Sequence, residues 1–370
     1  MHWTLYFILS LLVACVHQPE TTVPPGASTL QSAQTVHAAA LVLDAHADIE
    51  IPGKYSAYVG DDGLSQVAPD KMRKGAVDAV VMSISVSAVP RTKLGYENAR
   101  VRAGEELNAV MSLAEANDGL VLVRSPAELV EAHQKGQQAV ILGVQNAALF
   151  AQELANIDLY YEQGVRVFAF THLGHNAFAD SSRPGFIRST GKHEPEAEHG
   201  GLSALGRMGV QRINALGGVL DVSQLSKTAT LELVELSGAP VIASHSNVRA
   251  LTDVTRNLSD EEIDSIAAKG GVVHVTPFRG YLYDSKDTEL DAKIRQARIE
   301  AGITESYYYP FELYWEIDDS AVKTKFIGAI SALLGEGSVD AVLDHIDYLV
   351  NRVGIEHVGF GSDFNHGGGI

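Results

Sequence analysis

The chain has 370 residues, 46% apolar and 20% charged, and its 46 Asp and Glu against 28 Lys and Arg give a formal net charge of −18. That length can bury a large core, and one barrel-type domain of this size is ordinary. The acidic balance argues against nucleic acid and anionic membrane surfaces as partners, because phosphate binding needs clustered Lys and Arg.

Trp3 to Ala14 is an apolar run too short to span a bilayer. It reads as the core of a secretion signal. It ends in Leu12-Val13-Ala14-Cys15, which resembles a bacterial lipobox. Residues 1–15 are therefore expected to be a lipoprotein signal peptide, with Cys15 lipidated as the mature N-terminus. The protein would face the periplasm and touch the membrane only through that lipid. A plain signal peptide with an incidental Cys is the competing reading, since no Lys or Arg lies near Met1. Cys15 is the only cysteine, so no intrachain disulfide forms. Residues 16–36 are rich in Pro, Thr, Ser and Gly and read as a flexible tether to a folded body over 37–370.

Leu41-Val42-Leu43-Asp44-Ala45-His46-Ala47-Asp48 opens that body as a short buried strand. His46 and Asp48 stand at i and i+2, on one face of the strand, so imidazole and carboxylate converge at its end. Further apolar runs predict strands at Ala79–Val86, Ala139–Gln145, Val165–Thr171, Gly218–Ser223, Pro240–Ser244, Gly271–Val275 and Val358–Gly361. Helical spacing marks Tyr96–Asn117, Leu205–Leu216, Thr228–Leu236 and Val339–Val353 between them. Ser259-Asp260-Glu261-Glu262 is a capping box that starts another helix. Phe278–Phe326 has no clear period and reads as an irregular excursion over the mouth or an oligomer contact.

Eight strands with helices between most of them imply right-handed crossovers and a parallel sheet. The expected fold is α/β, a (β/α)8 TIM-like barrel with its site at the C-terminal strand ends. A doubly wound open sheet competes, but no Gly-x-Gly-x-x-Gly follows the first strand. The sequence stops soon after the eighth strand, so the helix expected outside that strand is missing from this reading.

The predicted strand ends carry His46 and Asp48, Gln145, His172, Gln224, His245 and Asp363. Each alone has a bland explanation, as a rim amide, a loop anchor or a turn cap. Together they form a ring of His, Asp and amide groups of the kind a metal-dependent hydrolase needs. Along with Asn176, Ala179-Asp180-Ser181, His199-Gly200-Gly201-Leu202-Ser203, Asp221-Val222-Ser223, Ala243-Ser244-His245-Ser246, Arg256-Asn257-Leu258-Ser259-Asp260 and Gly359-Phe360-Gly361-Ser362-Asp363-Phe364, the chain resembles the membrane (renal-type) dipeptidase family of metal-dependent amidohydrolase barrels.

That resemblance implies two zinc ions, bridged by a hydroxide and a carboxylate, and hydrolysis of dipeptides. It assigns His46, Asp48 and His245 as metal ligands and His172 to substrate binding and carbonyl polarisation. It gives Arg256 the substrate carboxylate and Asp363 the proton at the catalytic water. It also implies a homodimer in many members. Two positions depart: the bridging Glu falls on Gln145 and a ligand His falls on Gln224. Neutral amides bind Zn²⁺ poorly, so one zinc is expected here, held at His46 and Asp48. The leading expectation is a dipeptidase-like metallohydrolase acting on dipeptides or related small amides. A mononuclear amidohydrolase with another substrate, or an inactive binding protein on the same barrel, are the alternatives.

Overall fold

The computed structural model describes residues 28–56, 58–187, 189–303, 317, 319–335 and 337–365. The chain divides into two compact units, Met1–Ala40 and Leu41–Ile370. In the first, Ser28–Ala39 forms helix α1. Part of the segment read as a tether is thus helical, consistent with good helix formers such as Ala33, Gln34, Ala38 and Ala39. The signal segment and Cys15 lie outside the described residues.

The second unit is the barrel. Its strands are β1 (Leu43–Asp48), β2 (Ala79–Ser85), β3 (Leu120–Leu122), β4 (Gln138–Gln145), β5 (Val165–Ala169), β6 (Phe186–Ile187), β7 (Lys192–His193), β8 (Val219–Asp221), β9 (Ile242–Ala243), β10 (Val272–Val275) and β11 (Val358–Phe360). The hydrogen-bonded order is β1-β2-β4-β5-β8-β9-β10-β11. All these pairs are parallel, and the eight strands are the eight expected from apolar runs. Closure comes just past β11. Ala47 and Phe364 form a parallel bridge, Asp363 N donates to His46 O at 2.9 Å, and Asp48 N donates to Phe364 O at 2.9 Å. The seam that closes the barrel is therefore made by the backbone of the candidate site itself.

Three short strands escaped the sequence reading. β3 pairs with the first residues of β4, Gln138 to Val140, while β5 takes the later ones from Leu142. β6 and β7 make a small antiparallel hairpin in the long connection after β5. Strands of two or three residues leave too little period to detect.

The outer helices follow their sequence signals closely. α6 (Ala204–Leu216) illustrates why. Ser203 caps it, its Oγ accepting from Gly206 N at 3.0 Å, and Gly217 ends it at φ +78°, where a side chain would be strained. Gly206, Gly209, Val210 and Ile213 line its buried face, spaced at helical intervals. That face packs on Phe170 and Phe178, and a Cβ on Gly206 would meet Phe178 O at 2.1 Å. Burying Val210 and Ile213 contributes roughly 1.5–3 kcal/mol each relative to exposure. The expected capping box of α8 (Asp260–Ala268) is present, as is α11 (Val339–Val353).

Phe278–Phe326 departs from the irregular excursion expected. It contains α9 (Thr288–Glu300) and the start of α10 (Ser320–Leu334). Ile294, Ile303, Ile317, Phe326 and Ile330 form an apolar cluster separate from the barrel core. The polar content of α9, which exposes most of its length, hides its period in sequence. Residues 304–316, including Tyr307-Tyr308-Tyr309, lie outside the described residues.

Candidate active site

β1 delivers His46 and Asp48 to the C-terminal end of the barrel, both buried. A register shift between Asp44 and Ala47 bends the strand there. Asp44 fixes the bend, its Oδ1 accepting from His46 N at 3.2 Å and Ser362 N at 2.7 Å. Burial pushes the Asp44 carboxyl upward, against those donors. β4 ends at Gln145. His172, Gln224, His245 and Asp363 all lie a few residues beyond their strands, in the loops rather than in the strands themselves. Gln224 and Asp363 sit at φ +68° and +54°, where side chains other than Gly are uncommon.

His46 and His245 stack face to face, with ring centroids 3.8 Å apart and planes 16° from parallel. Asp363 Oδ1 lies 3.9 Å from His46 Nε2. Among the described residues, His46, His245 and Asp363 form one buried group whose ligand atoms lie within 4.8 Å of one another. Asp48 stands beside this group rather than in it, lining the adjoining cavity with His172. Of the residues expected at the site, His46, His245 and Asp363 are the three whose ligand atoms converge in that group.

The tautomer of His245 follows from its neighbours. Ser244 Oγ lies 2.5 Å from Asp221 Oδ2 and 2.7 Å from His245 Nδ1. The hydroxyl has one proton and a carboxylate only accepts, so Ser244 donates to Asp221 and accepts from Nδ1–H. Asp221 is held in turn by Ser223 N at 2.9 Å and Ser244 N at 3.0 Å. Nε2 then carries the lone pair and points into the site, the form that binds a cation. Burial first, then the positive fields of His46, Arg256, His172 and Arg183, hold the His245 ring well below the usual imidazole range, so it stays neutral. On His46, Ser83 Oγ sits 3.2 Å from Nδ1 and leaves Nε2 toward Asp363. Two imidazole nitrogens and one carboxylate oxygen with an open side fit one Zn²⁺.

The two amides do not extend that set. Gln145 Nε2 lies 3.3 Å from His245 Nε2, and the Gln224 amide approaches the same nitrogen at 3.3 Å. Gln145 Oε1 already accepts from Ser85 Oγ at 2.8 Å. A carboxylate able to bridge two cations is absent from this position, so the residues present fit one ion and not two.

A cavity of about 620 Å³ opens beside the donor group, walled by Asp48, Glu50, Tyr58, Ser85, Arg102 and His172 among others. It is acidic near the seam. Burial and then the Glu50 charge push the Asp48 carboxyl up to about 7. Burial and then Asp48, Asp363 and Glu50 push the Tyr58 hydroxyl up as well. On the opposite side Arg256 is buried, bonded through Nη1 to Ser246 Oγ at 2.9 Å and through Nη2 to the backbone oxygen of His245. Its guanidinium lies 5.3 Å from the Tyr281 ring centre. Arg183, absent from the sequence reading, is also buried here, its Nη1 3.4 Å from Tyr281 Oη. Ser181-Ser182-Arg183-Pro184 looks like a surface turn in sequence, and only the folded loop turns the Arg inward.

The loop that carries Arg183 is fixed by polar residues in the matched motif stretches. Burial works against the charge on Asp180, yet the backbone N–H groups of Glu198, His199 and Gly201 hold its carboxyl below the usual range. Asn176 bonds Phe170 O and Asn146 Oδ1, tying the same loop to β4 and β5.

Comparison with known proteins identifies the fold and the family. The probable dipeptidase PvdM from Pseudomonas aeruginosa superposes with a TM-score of 0.79 at 31% identity, covering 92% of this chain and 87% of that one. A metallopeptidase from Rhodobacter sphaeroides, liganded with a phosphinate mimic of L-Ala-D-Ala, shares the fold at a TM-score of 0.64 and 22% identity, covering 88% and 86%. Dipeptidase verJ of Clonostachys rogersoniana is 26% identical over 304 residues, 80% of this chain but 63% of its own length. The family model described as membrane dipeptidase (Peptidase family M19) matches residues 30–370. With the whole barrel inside that match, the chain belongs to the membrane dipeptidase family.

Proposed function

We propose that the protein is a dipeptidase that works with one divalent metal, of which zinc suits the donors best. The observation that carries this is the buried convergence of His46, His245 and Asp363 beside a cavity wide enough for a dipeptide. His46, His245 and Asp363 would hold the ion, which when bound supplies an acidified water and polarises the carbonyl. Asp363 takes the proton from the attacking water and returns it to the leaving amine. His172, on the cavity wall, donates to the carbonyl oxygen as charge develops there. Arg256 meets the free carboxylate of the substrate with its planar fork. The acidic wall of Asp48 and Glu50 suits the substrate's amino group. Purified protein supplied with Zn²⁺ should hydrolyse members of a dipeptide panel and stop when a chelator removes the ion. Metal bound with no turnover on any member would favour the binding-protein alternative.

We also propose that the chain is exported and anchored through Cys15. Among the described residues no single helix is long and apolar enough to cross a membrane. The anchor reading rests on the Leu12-Val13-Ala14-Cys15 run. Cys15→Ser should release the protein from the membrane fraction or block its processing, and unchanged fractionation would remove the lipoprotein assignment.

A further inference from the structure

The Gln145 and Gln224 amides both reach His245 Nε2, at 3.3 Å each, Gln145 through its Nε2 and Gln224, in the orientation that Arg183 selects, through its Oε1. An amide can offer a cation only its oxygen. At Gln145 that oxygen accepts from Ser85 Oγ at 2.8 Å, so the amino group is the end that faces His245. At Gln224 the orientation is set by Arg183. Turned so that both ends meet complementary partners, the amide donates from Nε2 to His172 O at 3.3 Å and accepts at Oε1 from Arg183 Nη2 at 3.2 Å. A guanidinium has donors only and keeps its charge throughout the usual pH range.

Arg183 is 5% exposed, and its loop is fastened to the same segment it serves. Ser182 N donates to Gln224 O at 2.9 Å, Arg183 N donates to Ser181 Oγ at 3.2 Å, and Ser181 Oγ donates to His172 O at 2.8 Å. The guanidinium is thus carried to Gln224 by backbone contacts and not by a free surface arm.

We propose that Arg183 is a built-in cation: its guanidinium claims the Gln224 amide oxygen and excludes a second divalent ion from the side of His245 away from His46 and Asp363. This inference rests on the one-metal reading of the centre given above, but not on hydrolysis. A divalent ion placed there would face a fixed positive charge in a poorly solvated site, where like charges repel strongly. Gln145 brings no negative charge to offset that repulsion. The positive charge that a second metal would supply is instead part of the chain.

The consequence is that restoring ligands is not enough. The test counts zinc in the full-length protein by elemental analysis after desalting, and titrates Zn²⁺ against a competing chelator. The unmutated chain should retain one zinc. The pair Gln145→Glu with Gln224→His should still retain one tightly. Adding Arg183→Met to that pair should tighten the second zinc on the order of 100-fold or more. Arg183→Lys in the same background keeps the charge and should leave the second site weak. Arg183→Gln, neutral but polar, carries the same expectation as Arg183→Met if the latter does not fold, folding being checked by a cooperative melt. Two tight zinc ions in the unmutated chain would overturn the proposal. So would a second zinc bound no more tightly after the charge is removed. Zinc counting needs no turnover, so a protein that cleaves no dipeptide still decides this question.

Discussion

On the β1 side of the barrel mouth, His46 and Asp363 sit on the closing seam with Asp48 beside them, next to the cavity of about 620 Å³. On the β8–β9 side, Arg183 and Arg256 lie against Tyr281 and Gln224 meets Arg183, and their polar ends find internal partners at Ser246, His172 and one another. His245 stands between, stacked on His46 and touched by both amides. One side is rich in anionic and lone-pair donors and open to a ligand, while the other is cationic and internally bonded. The difference teaches what accompanies two amides in place of two ionisable ligands: no bridging carboxylate stands at Gln145, and the cation beside Gln224 is a guanidinium of the chain itself. On the dipeptide reading proposed above, the substrate's amino end would face the acidic wall and its carboxylate Arg256.

The largest effect expected from breaking this division is at the donor side. Asp363→Asn should lower turnover by roughly 10²–10⁴-fold, as for loss of a positioned acid–base group, and should weaken zinc retention as well. A variant within tenfold of the parent in both measurements would mean that the seam is not where the chemistry happens. The next effect lies on the cationic side. An Arg–carboxylate pair in a partly dry site contributes about 2–4 kcal/mol, so Arg256→Ala should weaken free dipeptides by roughly 30- to 1,000-fold. Dipeptides amidated at the C-terminus should change little. Equal losses for both would break the assignment of that side to the carboxylate.

The smallest effect sharpens the comparison from behind the donor side. Glu106, on α3 (Lys93–Glu115), accepts from Ser85 N at 2.7 Å and from Arg102 Nε at 2.7 Å. Burial pushes its carboxyl from 4.5 up to about 8, with Arg102 pulling the other way. The folded state therefore binds its proton more tightly than the unfolded chain does. Stability from this group is present below the unfolded value and is lost as pH rises through about 8. Glu106→Gln removes that dependence. Relative to the parent, the variant should gain about 1–3 kcal/mol between pH 5 and pH 8, read from denaturant unfolding at each pH. A difference that does not move with pH would show that the pair with Arg102 keeps Glu106 ionised throughout.

Much of the fold was legible in sequence because its signals are local. The apolar runs of β1, β2, β4 and β5 carry their own period, Ser259 and Glu262 carry the capping box, and Val339–Val353 shows its buried face at Val342, His345 and Leu349. His46, Asp48, Gln145, His172, Gln224, His245 and Asp363 could be singled out because polar residues that end apolar strands are local features too. β3, the β6–β7 hairpin and α9 were missed because each is too short or too polar to show a period.

What the sequence could not rank was which of those polar groups meet. Ser362 N reaches Asp44 Oδ1 across 318 residues, and that closure alone brings Asp363 to His46. Loop geometry after β9 and β8 then brings His245 to His46 and Asp363 and turns Arg183 inward to Gln224. Strand and helix follow from neighbours a few residues apart, where spacing along the chain sets which face a side chain takes. The charge balance of the centre depends on residues from every quarter of the barrel, and only closure of the sheet fixes the distances between them.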